Sequence, residues 1–284
     1  MNLRQLLRTV ESVLTVVLRR MATVPGDLYA RVYVRFRLNR AYHRLRLSGR
    51  IQIWLIPRRL PVTRRLMRQP YLVPVRSIQW GGRPHGGEAR IGNGHGCGLV
   101  FGGDWDIEDK QDIEQYLSGY IYSRTVFQLC RDGRRYDQTD QFHEISSFVR
   151  RGLLDEWQAR GCRTEADIER YFDRLRQTFE EIRSVGYKTQ EQLGSPRWFD
   201  EIKVFVDRGG ELHKQQGAGH HRLAMARILQ ISEIPVLIIG VHRRWALQVQ
   251  REIGEDVLTS VDLRLRQMSG RSIDRASQQN APVA

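Results

Sequence analysis

EIKVFVDRGGELHKQQGAGHHRLAMARILQISEIPVLIIGVHRRW, residues 201–245, decides the fold. Ile202, Val204 and Val206 alternate with Lys203 and Phe205, which predicts a strand over 201–206. Asp207-Arg208-Gly209-Gly210 reads as a hairpin turn, because paired glycines supply the positive φ that such turns need. A weaker second strand follows over 211–216. Gly217-Ala218-Gly219 breaks it. Leu223, Ala224, Ala226, Ile228 and Leu229 supply the apolar residues of a helix over 220–230. Residues 234–241 are apolar enough to form a strand buried on both faces.

The chemistry of this unit lies at the corner Gly219-His220-His221-Arg222. A glycine turn that leads into a helix presents backbone N–H groups and the positive end of the helix dipole. Gly217 and Gly219 let the backbone approach a ligand closely. Arg222 offers a planar fork of donors suited to a phosphate. His221 can hydrogen-bond a phosphate oxygen or shuttle a proton. These residue types in this order describe an anion site, with a nucleotide phosphate as the foremost ligand. The plain alternative is a helix start whose histidines and arginine only cap and solvate it.

The same residues resemble a known family. G-x-H-R-L-A-x-A-x-x-L, then I-P-V, then H-x-x-W, is similar to the ParB/sulfiredoxin-like nucleotide-binding fold. Here these are Gly219, His221, Arg222, Leu223, Ala224, Ala226, Leu229, Ile234, Pro235, Val236, His242 and Trp245. The likeness is strongest over 200–245 and extends back to about residue 98, through Gly102-Gly103-Asp104-Trp105-Asp106. It implies a fold that binds ATP, ADP or CTP. Its members include DNA-partition proteins, sulfiredoxins and small-molecule kinases. The nucleotide-binding residues would be Gly217, Gly219, His220, His221, Arg222 and His242. Two departures are specific. Ala218 stands where the family often has an acidic residue. His220 stands where sulfiredoxins carry their reactive cysteine, which argues against that chemistry.

Asp104 and Asp106 follow a glycine pair. They can hold Mg²⁺ on a nucleotide or act as a base toward an acceptor hydroxyl. With His221 they are the candidate catalytic residues, and Asp104 is the candidate metal ligand. The alternative is that both cap a helix beginning near Glu108.

The charge is unevenly placed. Residues 1–76 hold 17 arginines, no lysine, and only Glu11 and Asp27 as acids, within a chain of net charge +14. The remainder is therefore close to neutral. Residues 3–21 show an apolar helical face opposite arginines, and the uncharged run 12–18 is far short of the roughly 20 residues a bilayer span needs. Three partners suit this arm of residues 1–70. It can lie on an anionic membrane surface, track a nucleic-acid backbone without sequence preference, or pack on the body with its arginines in solvent. The continuous apolar face favours the membrane over nucleic acid.

Residues 81–98 hold eight glycines and read as a long loop or domain boundary. His85, His95 and Cys97 there lack a fourth ligand at a usual zinc spacing. Cys97, Cys130 and Cys162 are odd in number and suggest no disulfide framework, so a reduced, cytoplasmic compartment is expected, with peripheral contact to the inner membrane face through the arm.

A helix is expected over 109–128. Another should start at Thr139, and a third should run from a Thr164/Asp167 capping box to Val185, stopping at Gly186. A short helix is expected over 189–193, another over 246–255, and a helical turn or two over 262–268. Residues 269–284 read as a disordered tail.

The expected fold class is α+β. A small mixed sheet carries the corner helix within a core of 71–255. A helical subdomain is inserted at about 107–194, and the basic amphipathic helical arm precedes both. The expected function is nucleotide binding, with ATP/ADP-dependent phosphotransfer to a small-molecule acceptor. The alternatives are a non-catalytic nucleotide-binding adaptor or switch at the membrane, and a DNA-binding protein. Against the last, too little chain follows Trp245 for a helix-turn-helix domain.

Overall fold

The structure is a computed structural model that describes residues 70–82, 100–101, 104–108, 110–195, 200–215 and 219–269. The arginine-rich arm, the glycine loop with His85, His95 and Cys97, Gly102-Gly103, Gly217-Ala218 and the tail beyond Ser269 lie outside the described residues.

The described residues form a seven-stranded mixed sheet with helices, an α+β architecture. The strands are β1 (Tyr71–Pro74), β2 (Ile78–Gly82), β3 (Val100–Phe101), β4 (Gln111–Asp112), β5 (Ile202–Val206), β6 (Leu212–Gln215) and β7 (Glu233–His242). Six run in the order β1-β7-β5-β6-β2-β4, while β3 pairs with the end of β7. β1 is antiparallel to the first half of β7, and β3 is parallel to its last two residues. Both therefore flank the same edge of β7, and β5 flanks the other in parallel register from Ile202↔Val236 to Val206↔Val241. That placement explains why β7 is apolar throughout: it has neighbours on both sides and is buried along nearly its whole length.

The hairpin β5–β6 forms at the expected turn, with only the second glycine of the pair at positive φ. Asp207 Oδ1 accepts from the amides of Gly209 and Glu211, each at 2.8 Å, and Gly210 takes φ 90°. The parallel β5–β7 pair needs a crossover, and the helix His220–Ile228 supplies it.

The helices are α1 (Trp105–Glu108), α2 (Ile113–Gly119), α3 (Ile121–Val126), α4 (Asp140–Arg150), α5 (Glu165–Val185), α6 (His220–Ile228), α7 (Arg243–Ile253) and α8 (Val257–Met268). Leu223, Ala224, Met225 and Ala226 of α6 are fully buried in one core with Ile202, Val204, Val206, Ile234, Val236 and Ile238 of the sheet. Replacing Leu223 with alanine there would cost about 2–5 kcal/mol. α2, α7 and α8 add Leu117, Trp245, Val249, Leu258 and Val261 to the same core. The helical insertion has a smaller core of its own: Leu129, Ile145, Cys162, Ile168 and Phe172.

Local signals predicted several boundaries well. Thr139 Oγ1 accepts from the Phe142 amide at the start of α4. Thr164 and Asp167 form a reciprocal capping box, and α5 stops at Gly186 with φ 80°. Elsewhere tertiary packing overrode the periodicity. The helix expected over 109–128 divides at Tyr120, whose extended backbone (φ −94°, ψ 124°) separates α2 from α3, and a π-turn then runs over Phe127–Arg131. The break turns Tyr120 onto His220 and lets Ser123 donate to the Leu117 carbonyl at 2.7 Å. Residues 189–193 form a hydrogen-bonded turn rather than a helix. α8 is longer than expected, because Asp256 caps it by accepting from Leu258 and Thr259.

Candidate functional site

The residues singled out from the sequence fall into two places, at opposite ends of β5. Gly219 packs on Ile202, the first residue of the strand. Asp106 accepts from the amide of Arg208, two residues past its last. Ile202 to Val206 alone spans roughly 13 Å of strand. Asp104 and Asp106 are therefore not brought to the Gly219 corner, and the expectation that carboxylates and Arg222 face one site is corrected by the topology.

At the first end, Gly219 adopts φ 78° and leads into α6. His220 is 5% exposed. Its Nε2 lies 3.0 Å from the Tyr116 hydroxyl, and its ring stacks on Tyr120 at 4.0 Å. Burial lowers its pKa well below the usual histidine range, and Lys214 and His221 push the same way. His221 donates from Nε2 to Gln141 Oε1 at 3.2 Å, since Gln141 Nε2 donates to the Tyr171 hydroxyl at 2.7 Å. That leaves the His221 proton on Nε2. Burial, with the positive charges of Arg160 and Arg222, brings its pKa down to about 3. Both histidines are therefore neutral near pH 7, so they contribute dipoles rather than charge.

Arg222 does not project freely as the sequence suggests. It donates to Glu201 Oε2 at 3.3 Å and to the Asp200 carbonyl. Glu201 is buried and also accepts from the Gln190 amide at 2.5 Å; burial raises its pKa. Behind the corner stands Lys214 of β6, fully buried, whose ammonium donates to the Gln215 carbonyl. Burial lowers its pKa well below the usual lysine range, reinforced by Lys203 and Arg222. Lys203 is itself buried on β5. Lys214 thus lies on the sheet face that α6 covers, opposite Val204, whereas Lys203 alternates with Ile202 and Val204 and leaves the other face. Sequence reading missed Lys214. The signal was its strand parity: Lys214 shares a face with Leu212, a core position.

At the other end of β5, Arg208 holds both aspartates. Its guanidinium donates to Asp104 Oδ1 at 2.7 Å and to both oxygens of Asp106 at 2.7–3.1 Å. Asp106 is buried; burial opposes its ionisation, yet the Arg208 side chain and amide hold its pKa below the usual carboxylate range. The Asp104 side chain keeps 66% of its surface exposed. The helix here is Trp105–Glu108 rather than one beginning near Glu108, and the Asp104 carbonyl, not its side chain, accepts from the Ile107 amide, so Asp104 precedes the helix while Asp106 lies within it. His242 lies here and not at the corner. Its Nδ1 accepts from the Arg244 amide at 3.0 Å, and its Nε2 stands 3.9 Å from Asp106 Oδ1. Beside it, His213 Nε2 donates to Asp207 Oδ2 at 2.9 Å. Burial works against the Asp207 charge, but His213 and the Glu211 and Gly209 amides bring its pKa down to about 2. Trp105 packs among Phe205, His213 and His242. This end is a hydrogen-bonded network in which Arg208 engages both aspartates and His213 engages Asp207. Among the described residues no group of three or more His, Cys, Asp or Glu side chains is placed to hold a metal ion.

Gly217 lies outside the described residues, as does Ala218. Among the described residues no helix is long and apolar enough to cross a membrane.

No family model, curated protein or solved structure matches this chain.

Proposed function

We propose that the protein binds a nucleotide through its phosphates at the Gly219–Arg222 corner, as an adaptor or switch rather than a phosphotransferase. One observation carries the reading: Lys214 is buried opposite Val204, on the sheet face covered by a helix that is entered through a left-handed glycine and carries Arg222. A buried lysine whose charged form is disfavoured by desolvation and by neighbouring positive charge gains most from an incoming anion, because the anion offsets both. The amides at the start of α6 add a dipole of the right sign. The similarity of G-x-H-R-L-A to the ParB/sulfiredoxin-like fold supports a nucleotide over other phosphates.

Binding is favoured over turnover because Asp104 and Asp106 are engaged by Arg208 at the far end of β5. A phosphotransferase needs a metal or base beside the transferred group. Neither aspartate stands there, and Ala218 replaces the acid expected before the glycine. Mg²⁺ would then reach the site with the nucleotide rather than on Asp104.

The test is titration calorimetry of the full chain with ATP, ADP, CTP and GTP, with and without Mg²⁺, alongside assay of ADP release from ATP. Saturable binding without turnover is expected. Absence of binding by every nucleotide would reject the site, and ADP release lost in Asp104→Asn would restore the phosphotransferase.

A further inference from the structure

Next to the corner, α3, α4 and the turn Trp157–Ala159 bring together a group of side chains that the phosphate site does not use. Tyr122 is 7% exposed, and its hydroxyl is buried without a hydrogen-bond partner. Glu144 Oε2 on α4 and Gln158 Oε1 on the turn are likewise buried and unpartnered. Three orphaned polar atoms in one small region exceed what a settled core tolerates, and each such group calls for an explanation. Burial raises the pKa of both Glu144 and Tyr122, and Arg160 opposes it in each. Arg160 closes the turn with φ 56°, a left-handed conformation that a side-chain-bearing residue rarely adopts. Held there, its guanidinium lies 5.0 Å from the centre of the Tyr122 ring.

This cluster is continuous with the corner. The Tyr122 ring meets His221 edge-on at 5.4 Å, and Tyr171 meets it at 6.5 Å. Resting on the proposed phosphate site, we propose that Tyr122, Glu144, Gln158 and Arg160 form the seat for the ligand's ring, and that this ring is a nucleobase bearing an exocyclic amine. Two of the orphaned atoms, Glu144 Oε2 and Gln158 Oε1, are acceptors and require N–H donors. The Arg160 guanidinium already shows what the Tyr122 face accepts: a flat, nitrogen-rich group with donors at its edge. Adenine, cytosine and guanine offer such an edge. Uracil presents two carbonyl oxygens and one ring N–H, so it would set oxygen against oxygen.

The experiment measures equilibrium binding of ATP, CTP, GTP, UTP and inorganic tripolyphosphate to the full chain and to its Tyr122→Phe and Glu144→Gln variants. At least one amine-bearing nucleotide should bind about tenfold more tightly than UTP, as expected for a hydrogen bond to a charged acceptor. Both variants should reduce that nucleotide to the UTP level and leave tripolyphosphate binding unchanged. Tyr122→Phe removes an unpartnered hydroxyl, so its melting temperature should match or exceed that of the native chain, separating lost recognition from lost folding. UTP affinity equal to or above the others, or full discrimination in either variant, overturns the seat while leaving the phosphate corner standing. No binding of tripolyphosphate or of any nucleotide overturns both.

Discussion

Gly219 lies so close to Ile202 that a Cβ on the glycine would fall 2.7 Å from Ile202 Cγ1 and 3.0 Å from its Cα. The helix that carries the candidate site is thereby set directly on the first residue of the central strand. Gly219 also holds φ 78°. Gly219→Ala combines a clash with backbone with a disfavoured φ, and should cost about 2–4 kcal/mol. A thermal or denaturant melt measures it; a loss below about 0.5 kcal/mol would mean that the helix start yields easily.

Lys214→Met separates charge from packing. The substitution keeps a long unbranched side chain and removes a buried ammonium, so the folded state should gain about 1–3 kcal/mol. Nucleotide or tripolyphosphate binding should weaken by about tenfold or more. A variant that is both more stable and still fully competent to bind would remove Lys214 from the site.

Proton uptake should accompany binding. An anion beside Lys214 favours its charged form, so its depressed pKa rises in the complex. Calorimetry at several pH values from about 7 to 10, each in two buffers of different ionisation enthalpy, should show uptake in native protein and less in Lys214→Met. Equal heats in both buffers would place the anion elsewhere.

Arg208 and Asp106 form the buried ion pair most exposed to disruption. Arg208→Ala strands a buried carboxylate and should cost about 3–5 kcal/mol. Asp104→Asn loses one bond at an exposed carboxylate, so its cost should stay below about 1 kcal/mol. Denaturant melts of the two variants check the ranking. Asp104→Asn should also leave nucleotide affinity unchanged, because it sits at the other end of β5.

Acid should unfold the protein in two stages. His220 and His221 have depressed pKa values, His221 at about 3, so the unfolded chain binds their protons first. Their contribution is complete above about pH 6.5 and is lost as the pH falls toward 3. Asp207, at about 2, adds a second loss below about pH 4. A stability profile from pH 8 to 3 should therefore decline from about 6.5 downward. Stability that is flat to pH 4.5 would mean that the histidines are not buried neutral.

Much of the architecture was legible from local chemistry. The 201–206 alternation, the Gly209-Gly210 turn and the all-apolar 234–241 run each depend on neighbours in sequence, and each formed within a residue or two of expectation. Thr139, Thr164 and Gly186 worked as caps for the same reason. The site was less legible. Arg222 was read as projecting freely from the helix start, yet its partners Glu201 and Asp200 lie 21 and 22 residues back in the chain, before the β5–β6 hairpin. Asp104 and Arg208 are 104 residues apart, and no spacing announces their pairing.

The order of residues by itself determined the three strands β5, β6 and β7, the glycine-led helix, the α+β class and the concentration of arginines in the first 76 residues, because periodicity, turn chemistry and charge act over a few bonds. Only the tertiary structure decided that the two aspartates and the GHHR corner sit at opposite ends of one strand, that Lys214 stands behind the corner, and that Tyr120, Tyr122 and Arg160 gather beside it. Those facts follow from which strands pair and which helix covers them, and pairing is settled by burial summed over the whole chain.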